Sequence, residues 1–552
     1  MRPEMIITNA KVLTMDEARP RAEAVAFAGG RILAVGSRAE VEALAGQGTR
    51  VMDAGGRTLL PGFFESHMHL FGGAELLHLQ LTGVRGFEPV ATAFRAYAAE
   101  RPEAPILMAE GADYLLLGHD ITRHDLDRMI ADRPIAIRAM DHHTVWANTA
   151  ALKATGLLHG AAMPYGHEVV MGPDGLATGE LREFEAFGPV LDLAGVARMY
   201  LGISTGAEPS AWPSDADRAV DKDHIARGLA HCAARGITSL VTMDGNRYTC
   251  ALLKEMEAEG RLIARVKVPF HFKPEMALAE LDRASAMAAE YRGDWVTSGF
   301  VKMFMDGVTD SRTAFMLQDY PGTTERGAAL FDGDSFQAIC REISRRNLQI
   351  AVHAIGDGAV RRTIDGFEAA GRPDLRHRIE HIELIDRADV PRIAALGITA
   401  SLQPSHPPGA MDFPADGMEA VVPRQRWKDA FLCRTLADQG APIAFASDWP
   451  VADVSVMRSI QAALTRVPYD GAGDERISLM EVLRAYTAGG AWAAHWEGLT
   501  GTLRTGMAAD LVLIDGDIEA IPAERMGKTG IALTIAGGRV THDPSMMAGG
   551  VA

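Results

Sequence analysis

The sequence predicts an α/β fold built on a (β/α) barrel, with a small β domain formed by both ends of the chain. Three observations support this prediction. Apolar strand-like runs alternate with helical periodicity through the middle of the chain. Both ends carry short strand-like runs separated by glycine turns, and polar residues stand where the middle strands end. A chain of 552 residues is long enough for one large barrel and a smaller unit.

Both ends of the chain are rich in residues that favour β-strands. Near the N-terminus, MIITNAKVLTM and AEAVAFAGGRILAVG are rich in apolar and β-branched residues, and Gly29-Gly30 supplies a turn. Near the C-terminus, ADLVLI is followed by ALTIAGGRVTHD, whose glycine pair is typical of a hairpin. We therefore expect the two ends to form one small β domain together.

The middle of the chain alternates between strands and helices. The helical run SFQAICREISRRN lies between the strand-like runs TSGFVKMFMDG and LQIAVHAIGD, and HRIEHIELI, GITASLQPSH and PIAFASDWP follow. Repeated βα units imply a parallel sheet, and this many units over this length favour a barrel over an open sheet. Residues 75 to about 225 are less regular, and we expect an insertion there.

Charge, apolar runs and cysteine spacing indicate which partners and which compartment to expect. The formal net charge of −17 argues against nucleic acid and anionic membranes as partners. No apolar run approaches the length of about 18 residues that a membrane span needs, and no signal-peptide pattern is visible. The four cysteines lie far apart, without a C-x-x-C pair, as is typical of reduced thiols. We expect a cytoplasmic protein that acts on a small molecule.

The segment LLPGFFESHMHL carries the strongest local signal for chemistry. His67 and His69 lie two residues apart at the end of an apolar run. Side chains at such positions of a strand point to the same face, so both imidazoles can bind one metal ion. An isolated His-x-His pair more often consists of two histidines without a metal role. Other residues of the chain are therefore needed to distinguish a metal site from such a pair.

Four further strand ends carry candidate ligands. They are Lys302 in VKMFMDG, His353 in QIAVH, His381 in RIEHIE and Asp448 in IAFASD. Taken singly, a strand histidine is usually a core residue and an aspartate after a strand is often a helix cap. A lysine on a buried strand is costly unless it is neutral or paired. Their joint order, HxH–K–H–H–D, predicts a metal centre at the carboxyl end of the barrel.

With this combination the chain resembles the metal-dependent amidohydrolase superfamily, in particular its YtcJ-like branch, which includes N-substituted formamide deformylases. The resemblance is carried by PGFFESHMH, DHHTVWANTAAL, DGLATGELRE, VKMFMDGVTDSRT, VHAIGDGAV, RIEHIE, SLQPSH, ASDWPV and TGTLRTGMAADLVLID, which span nearly the whole chain. It implies a distorted (β/α)8 TIM barrel over residues 61–496, with an insertion at about 75–225. It also implies a β-sandwich domain from residues 1–60 plus 497–552. Homodimers are common among proteins with this fold, so a homodimer is one of the oligomeric states to test for this chain.

The resemblance implies one or two divalent metals, held by the residues that match its motifs. These are His67, His69 and Asp448 for one metal and His353 and His381 for the second. Lys302 would bridge the two as N6-carboxylated lysine, because a carbamate is an anion whereas an ammonium repels metals. Zinc suits these ligands best, while iron, manganese, cobalt and a one-metal site with unmodified Lys302 stay open.

The same resemblance implies a hydrolase that cleaves a C–N bond of an amide or N-formyl compound with metal-activated water. Asp448 is the expected general base, which takes the proton of the water and returns it to the leaving amine. His143 in DHHTVWAN is the expected substrate-facing hydrogen-bond donor, with His142 as its rival. Further residues expected at the substrate are Asp306, Arg312, Gln403 and His406.

Several polar neighbours have two interpretations each. Glu380 either orients a metal ligand or lies on the opposite face of its strand. Asp306 either contacts the substrate or orders the loop after its strand. Glu65 stands where many relatives have aspartate, and Asn148 is expected to cap a helix or a turn.

Two alternative functions stay open beside the C–N hydrolase. A deaminase with one metal, or a hydrolase of cyclic amides or esters, would use the same scaffold, and fold alone does not separate them. The absence of a clear H-x-E motif after the fifth strand argues against the deaminase. A non-catalytic regulatory relative is the third candidate, but such a protein has no physical reason to keep six ligands in register.

Overall fold

The computed structural model describes residues 2–81, 83–112, 114–139, 144–163, 167–195, 201–203, 206–309, 312–411, 413, 422–467, 469 and 471–545. The chain divides into two compact units. The larger unit comprises Met1–Phe71 and Gly202–Ala552, and the smaller unit is Gly72–Leu201. The domain boundaries expected from the sequence stay a prediction.

The described residues form strands and helices throughout both units. The strands are β1 (Met5–Thr8), β2 (Lys11–Leu13), β3 (Arg21–Ala22), β4 (Ala24–Ala28), β5 (Arg31–Gly36), β6 (Arg50–Asp53), β7 (Thr58–Pro61), β8 (Phe63–Met68), β9 (Leu79–Gln80), β10 (Leu107–Ala112), β11 (Ile135–Ala139), β12 (Thr144–Ala147), β13 (Glu168–Met171), β14 (Ala177–Arg182), β15 (Ile237–Thr242), β16 (Arg265–Lys267), β17 (Phe270–His271), β18 (Val296–Thr297), β19 (Phe300–Phe304), β20 (Gln349–Ala354), β21 (Arg378–His381), β22 (Thr399–Leu402), β23 (Ile443–Phe445), β24 (Leu511–Ile514), β25 (Ile531–Ala536) and β26 (Arg539–His542). The α-helices are α1 (Arg38–Glu42), α2 (Leu70–Glu75), α3 (Phe87–Glu100), α4 (Arg123–Met129), α5 (Thr149–Ala154), α6 (Phe184–Ala194), α7 (Asp215–Ala233), α8 (Arg247–Ala258), α9 (Leu281–Glu290), α10 (Gly333–Arg345), α11 (Asp357–Ala370), α12 (Val390–Ala395), α13 (Cys433–Asp438), α14 (Val456–Thr465), α15 (Leu479–Arg484) and α16 (Gly490–Ala493).

A parallel barrel dominates the larger unit, as the sequence predicts. Its eight strands run in the order β8, β15, β16–β17, β18–β19, β20, β21, β22 and β23, and the third and fourth are each interrupted once. Backbone hydrogen bonds join the chain just after the last strand to the end of the first. The amide of Asp448 donates to the carbonyl of His67 at 2.9 Å, and the amide of His69 donates to that of Trp449 at 2.7 Å. The distorted (β/α)8 barrel is therefore confirmed.

The two ends of the chain form the β domain that their texture predicts. One sheet has the order β5-β4-β1-β6, and the other has the order β26-β25-β24-β7-β2-β3. In the second sheet β24 pairs with β7, so that Leu511 lies opposite Pro61. Residues of both sheets, among them Ile7, Phe27 and Leu533, share one buried core, which makes the domain a sandwich.

Helix α10 illustrates how local sequence places the barrel elements. The side chain of Asp332 accepts a hydrogen bond from the amide of Ser335 and caps the N-terminus of the helix. Phe336, Cys340 and Ile343 recur at helical spacing and are buried, whereas the opposite face carries charges. The packed helix leads directly into β20, which ends at the level of the candidate ligand His353.

The smaller unit is built on a six-stranded sheet, β13-β14-β12-β11-β10-β9. Its helix α5 begins at Asn148, whose side chain accepts a hydrogen bond from the amide of Ala151 at 2.8 Å, so the expected cap is confirmed. Among the described helices of either unit, none is long and apolar enough to cross a membrane. All four cysteines are free thiols, and only Cys433 is not fully buried.

Candidate metal centre

The first and last barrel strands bring His67, His69 and Asp448 together. Both histidines approach the same carboxylate oxygen: the Nε2 atoms of His67 and His69 lie 3.1 Å and 3.3 Å from Asp448 Oδ1. His67 lies on β8 and His69 one residue beyond its end, and both imidazoles approach the same carboxylate, as the spacing of the motif predicts. His67 is 1% exposed, whereas the side chain of His69 is 30% exposed, so the group opens on the side of His69.

The hydrogen bonding of His67 shows that this group fits a metal ion. His67 Nδ1 lies 2.7 Å from Glu380 Oε2. A carboxylate only accepts hydrogen bonds, so Nδ1 carries a proton, and Nε2 is the nitrogen of this ring that is left to serve as a metal ligand. Nε2 faces Asp448 Oδ1, which is buried and has no hydrogen-bond partner among the described residues. One ligand atom each from His67, His69 and Asp448 lies within 4.8 Å of the others, an arrangement that fits a divalent metal.

A buried ion pair holds Glu380 against His67. Arg378 is 1% exposed, and its Nε donates to Glu380 Oε1 at 2.8 Å. Its Nη2 donates to the carbonyl of Ser66 at 2.7 Å and to the hydroxyl of Ser401 at 3.0 Å. Burial opposes ionisation of Glu380, but Arg378 and His67 together hold the pKa of Glu380 well below its ordinary value. Of the two interpretations of Glu380, the structure favours the orienting one.

The fifth and sixth strands place His353 and His381 beside His67. The ring centres of His353 and His381 are 4.5 Å apart, and those of His67 and His381 are 4.8 Å apart. His353 Nε2 lies 3.1 Å from the carbonyl of Gly307, and His381 Nδ1 lies 3.0 Å from Gln403 Oε1. Each ring donates through one nitrogen to an oxygen, which leaves the other nitrogen as a lone pair suited to a metal.

Electrostatics keep these two rings neutral. Burial and the positive charge of Lys302 lower the pKa of His353 to about 3. Burial, helped by the neighbouring His353, holds the pKa of His381 well below its ordinary value. Neutral imidazole is the form that binds metals, so both residues are poised as ligands at physiological pH.

Lys302 is buried on β19, the second part of the fourth strand. Its ammonium nitrogen has no hydrogen-bond partner among the described residues and lies 4.8 Å from the ring centre of Phe304. Burial lowers the pKa of Lys302 to about 8. An unpaired buried charge is costly, so a larger fraction of neutral amine is present near physiological pH than for an ordinary lysine, and the neutral amine is the form that reacts with carbon dioxide.

Gln403 and His406, two residues expected at the substrate, lie beside His381. Gln403 is buried and accepts the hydrogen bond of His381, so part of its side chain is committed to orienting that ring. The ring of His406 stacks on that of His381, with centres 6.2 Å apart and an angle of 11°. His381, His406 and Asp448 also form a second group that could hold a metal ion.

The other expected substrate residues are placed differently. Asp306 accepts hydrogen bonds from the backbone amides of Phe315, Ile355 and Gly356, at 2.9 to 3.1 Å. These contacts favour the loop-ordering role over a substrate contact. Arg312 is exposed in the loop after the fourth strand. His143 and its rival His142 lie outside the described residues.

The sequence interpretation overlooked His271, which ends the third strand. Its backbone is in register with Lys302 on the neighbouring strand, and its side chain is 4% exposed. Its Nε2 has no hydrogen-bond partner within the described part of the chain. The signal that marked the other ligands, a polar residue ending an apolar run, is present in VPFH and could have identified it.

Glu65 joins the first strand to the chain after the last strand. Its Oε1 accepts a hydrogen bond from the amide of Ser447 at 2.8 Å, and the side chain is fully buried. Burial raises the pKa of Glu65 to about 8, against hydrogen bonds from the backbone that lower it. The residue thus ties together the two chain segments that carry His67 and Asp448.

Comparison with known proteins identifies the family. A sequence model of the Amidohydrolase family matches residues 50–542, which is most of the chain. The chain belongs to the amidohydrolase family. The resemblance inferred from the motifs is therefore confirmed.

Amidohydrolase relatives match over almost their full length. The protein named amidohydrolase YtcJ of Bacillus subtilis (strain 168) is 28% identical over 97% of this chain and 98% of its own length. The N-substituted formamide deformylase of Arthrobacter pascens is 25% identical over 93% of this chain and 94% of its own length. The crystal structure of an uncharacterized metal-dependent hydrolase from Pyrococcus furiosus superposes with a TM-score of 0.71 at 25% identity, covering 92% of this chain and 98% of that one. This chain is an amidohydrolase-family metal-dependent hydrolase.

Proposed function

We propose that this amidohydrolase cleaves the C–N bond of a small non-peptide amide or N-formyl compound. The observation that carries the proposal is the group formed by His67, His69 and Asp448, in which both histidine Nε2 atoms lie within 3.3 Å of Asp448 Oδ1, because a divalent cation held there would supply the metal that activates water. The similarity to an N-substituted formamide deformylase over 93% of the chain favours an amide-type bond.

We assign His67, His69 and Asp448 to one divalent metal, with zinc as the first candidate. His353 and His381 are assigned to a second metal, and carboxylated Lys302 to the bridge between the two. The low pKa of both histidines supports this assignment. So does the buried ammonium nitrogen of Lys302, which has no hydrogen-bond partner among the residues that the structure describes. A bound divalent metal supplies Lewis-acid chemistry, since it polarises a carbonyl and lowers the pKa of water.

Asp448 is the proposed general base. Its Oδ1 faces His67 and His69, and its Oδ2 lies 4.0 Å from His381 Nδ1, so one carboxylate contacts both halves of the site. Burial alone would raise the pKa of Asp448, but the neighbouring histidines hold it well below its ordinary value. The carboxylate is thus in its basic form and can take a proton from water and pass it to the leaving amine.

Substrate contacts are proposed for Gln403 and His406, which lie at the end of the seventh strand beside His381. His143 remains the proposed donor to the substrate, on the motif alone. The carboxylate of Asp306 is engaged by three backbone amides, which argues against a substrate contact by this residue. Arg312, which is exposed in the loop after the fourth strand, stays a proposed substrate contact.

The test combines metal content with an amide panel. Protein purified without chelator is analysed by plasma mass spectrometry and by gentle intact-mass measurement, and amine release from formamides and acyl amides is assayed. We expect close to two metals per chain, a carbon dioxide adduct on Lys302 and release of amine. One metal, no adduct and release of ammonia from a heterocyclic amine would favour a one-metal deaminase. Absence of metal, with no gain on adding zinc or manganese, would favour the regulatory interpretation.

A further inference from the structure

We propose that His271 is a positioning residue that donates a hydrogen bond to the carbamate of carboxylated Lys302. This inference rests on the proposed function, which assigns carboxylated Lys302 to the bridge between two metals. It concerns a residue of the third strand that is assigned neither to a metal nor to the substrate.

Two neighbouring strands place His271 and Lys302 side by side. β17 pairs in parallel with β19, and His271 is in register with Lys302. The amide of Phe272 donates to the carbonyl of Lys302 at 3.0 Å, so the pairing continues to the end of β17. Residues paired in this way lie about 5 Å apart and project to the same face of the sheet. Both side chains are buried, so they share that face away from solvent.

Each of these two side chains has a buried nitrogen without a partner. Nε2 of His271 and Nζ of Lys302 are both shielded from solvent, and neither has a hydrogen-bond partner among the described residues. A buried polar atom that makes no hydrogen bond destabilises a fold, and native structures satisfy nearly all such atoms. One acceptor group within reach of both strands would serve both nitrogens.

The reaction of Lys302 with carbon dioxide supplies such an acceptor. The neutral amine attacks the carbon of carbon dioxide, a nitrogen–carbon bond forms, and one carbon–oxygen electron pair moves onto oxygen. Nζ then loses one proton to water, which leaves a carbamate with one negative charge and two acceptor oxygens. The buried ammonium is removed in this step, and an oxygen that is not bound to metal can accept the proton of His271 Nε2.

The packing of His271 suits it to this role. Gly206 has a φ of 70°, and a side-chain carbon at this position would lie 2.2 Å from Cβ and 2.4 Å from Cγ of His271. The backbone at Gly206 therefore packs directly against the side chain of His271, an approach that only glycine permits. A ring held by packing presents its donor in a fixed direction, as a positioning residue requires.

The experiment measures the carbamate by ¹³C nuclear magnetic resonance. Zinc-loaded protein is equilibrated with ¹³C-labelled bicarbonate, the carbamate signal is identified by its loss in Lys302→Ala, and the bicarbonate concentration for half occupancy is determined. His271→Leu removes the donor at similar volume, whereas the amide of His271→Gln can still donate. We expect His271→Leu to need at least about 10-fold more bicarbonate than wild type, the effect of one hydrogen bond to a charged group. His271→Gln should lie nearer to wild type than to His271→Leu.

His377→Asn is the matched control. His377 is as buried as His271, but it directly precedes β21, and its ring nitrogens already have partners in the hydroxyl of Ser344 and the amide of Ile350. Asparagine keeps an acceptor for that amide, and the half occupancy should equal that of wild type. The metal content at saturating bicarbonate should also be the same in His271→Leu and wild type.

Three results would overturn the inference, and they are distinguishable. Equal half occupancy in wild type and His271→Leu would show that His271 does not hold the carbamate. Loss of a metal from His271→Leu at saturating bicarbonate would make His271 a ligand instead. Absence of the carbamate signal from wild type would remove the bridge of the proposed function, and the inference with it. Should His271→Leu fail to fold, His271→Asn replaces it, because the shorter amide ends before the position of Nε2.

Discussion

His67 Nδ1 lies 2.7 Å from Glu380 Oε2, and this one contact determines which nitrogen of His67 is available to a metal. The proton of Nδ1 lies on the side of Glu380, and Nε2 points at Asp448 Oδ1. Arg378 holds the carboxylate of Glu380 in place through two hydrogen bonds, so the orientation of the His67 ring is set before any ligand arrives.

Replacing Glu380 by Gln should weaken metal binding while keeping the fold. Glutamine retains an acceptor oxygen for His67 but removes the charge that matches Arg378. Loss of such an orienting carboxylate typically costs about 10- to 100-fold in metal affinity. Competition with a chromophoric chelator measures this affinity. The exposed Glu368→Gln is the control, and equal affinities in both variants would show that Glu380 does not orient the ligand.

Asp448→Asn should abolish most turnover without unfolding the protein. The amide cannot accept the proton of water, and general-base catalysis contributes about 100- to 10,000-fold to a rate. Steady-state kinetics on the best amide of the panel, together with circular dichroism, checks both parts. Asp453→Asn on the following loop, whose carboxylate bonds to Ser455 and Arg458, should keep full activity. A fully active Asp448→Asn would refute the assignment of the base.

Lys302→Ala should lose the second metal, and short carboxylates added to the assay should restore part of the activity. The reason is that a free carboxylate can take the place of the carbamate between the two groups of ligands. Lys302→Arg is the matched variant, because it keeps a positive charge but cannot form the carbamate. Metal content per chain is the readout, and unchanged stoichiometry in both variants would rule out the bridge.

Glu65 should destabilise the metal-free protein progressively as the pH rises from about 5 to 8. The pKa of Glu65 is raised from 4.5 to about 8 in the folded state, so between these values this group binds more protons in the folded chain than in the unfolded one. The contribution of Glu65 to the free energy of unfolding then falls with rising pH, by up to about 1.4 kcal/mol per pH unit, and it is read as the difference between wild type and a variant without this carboxylate.

Glu65→Gln imitates the protonated side chain and should flatten this slope. Urea unfolding at pH 5 and pH 8, after removal of metal, gives the difference directly. The exposed Glu524→Gln should keep the slope of wild type. A slope that is the same in Glu65→Gln as in wild type would mean that Glu65 is ionised throughout this range.

Features that depend on a short stretch of sequence could be predicted. The ends of the barrel strands are an example, because each apolar run is followed directly by a polar residue. This pattern located His67, His353, His381 and Asp448 at the strand ends of the barrel. The terminal strands could be read in the same way, since glycine pairs mark the turns. The parallel order of the barrel followed from the repeated βα units.

The features that escaped prediction depend on contacts between distant strands. Nothing near Arg378 in the sequence shows that it also binds the carbonyl of Ser66 on the first strand. The two interpretations of Asp306 could not be separated either, because its partners Phe315 and Gly356 come from two different loops.

The closure of the barrel between its first and last strands has a consequence for biosynthesis. Glu380 lies 313 positions after His67, and Ser447 lies 382 positions after Glu65. A nascent chain that has not yet released these later residues from the ribosome holds His67 and His69 without their carboxylate partners. Under the proposed assignment the metal site is therefore completed only after residue 448 has been synthesised, and a chain truncated before this residue has two imidazoles but not the third ligand.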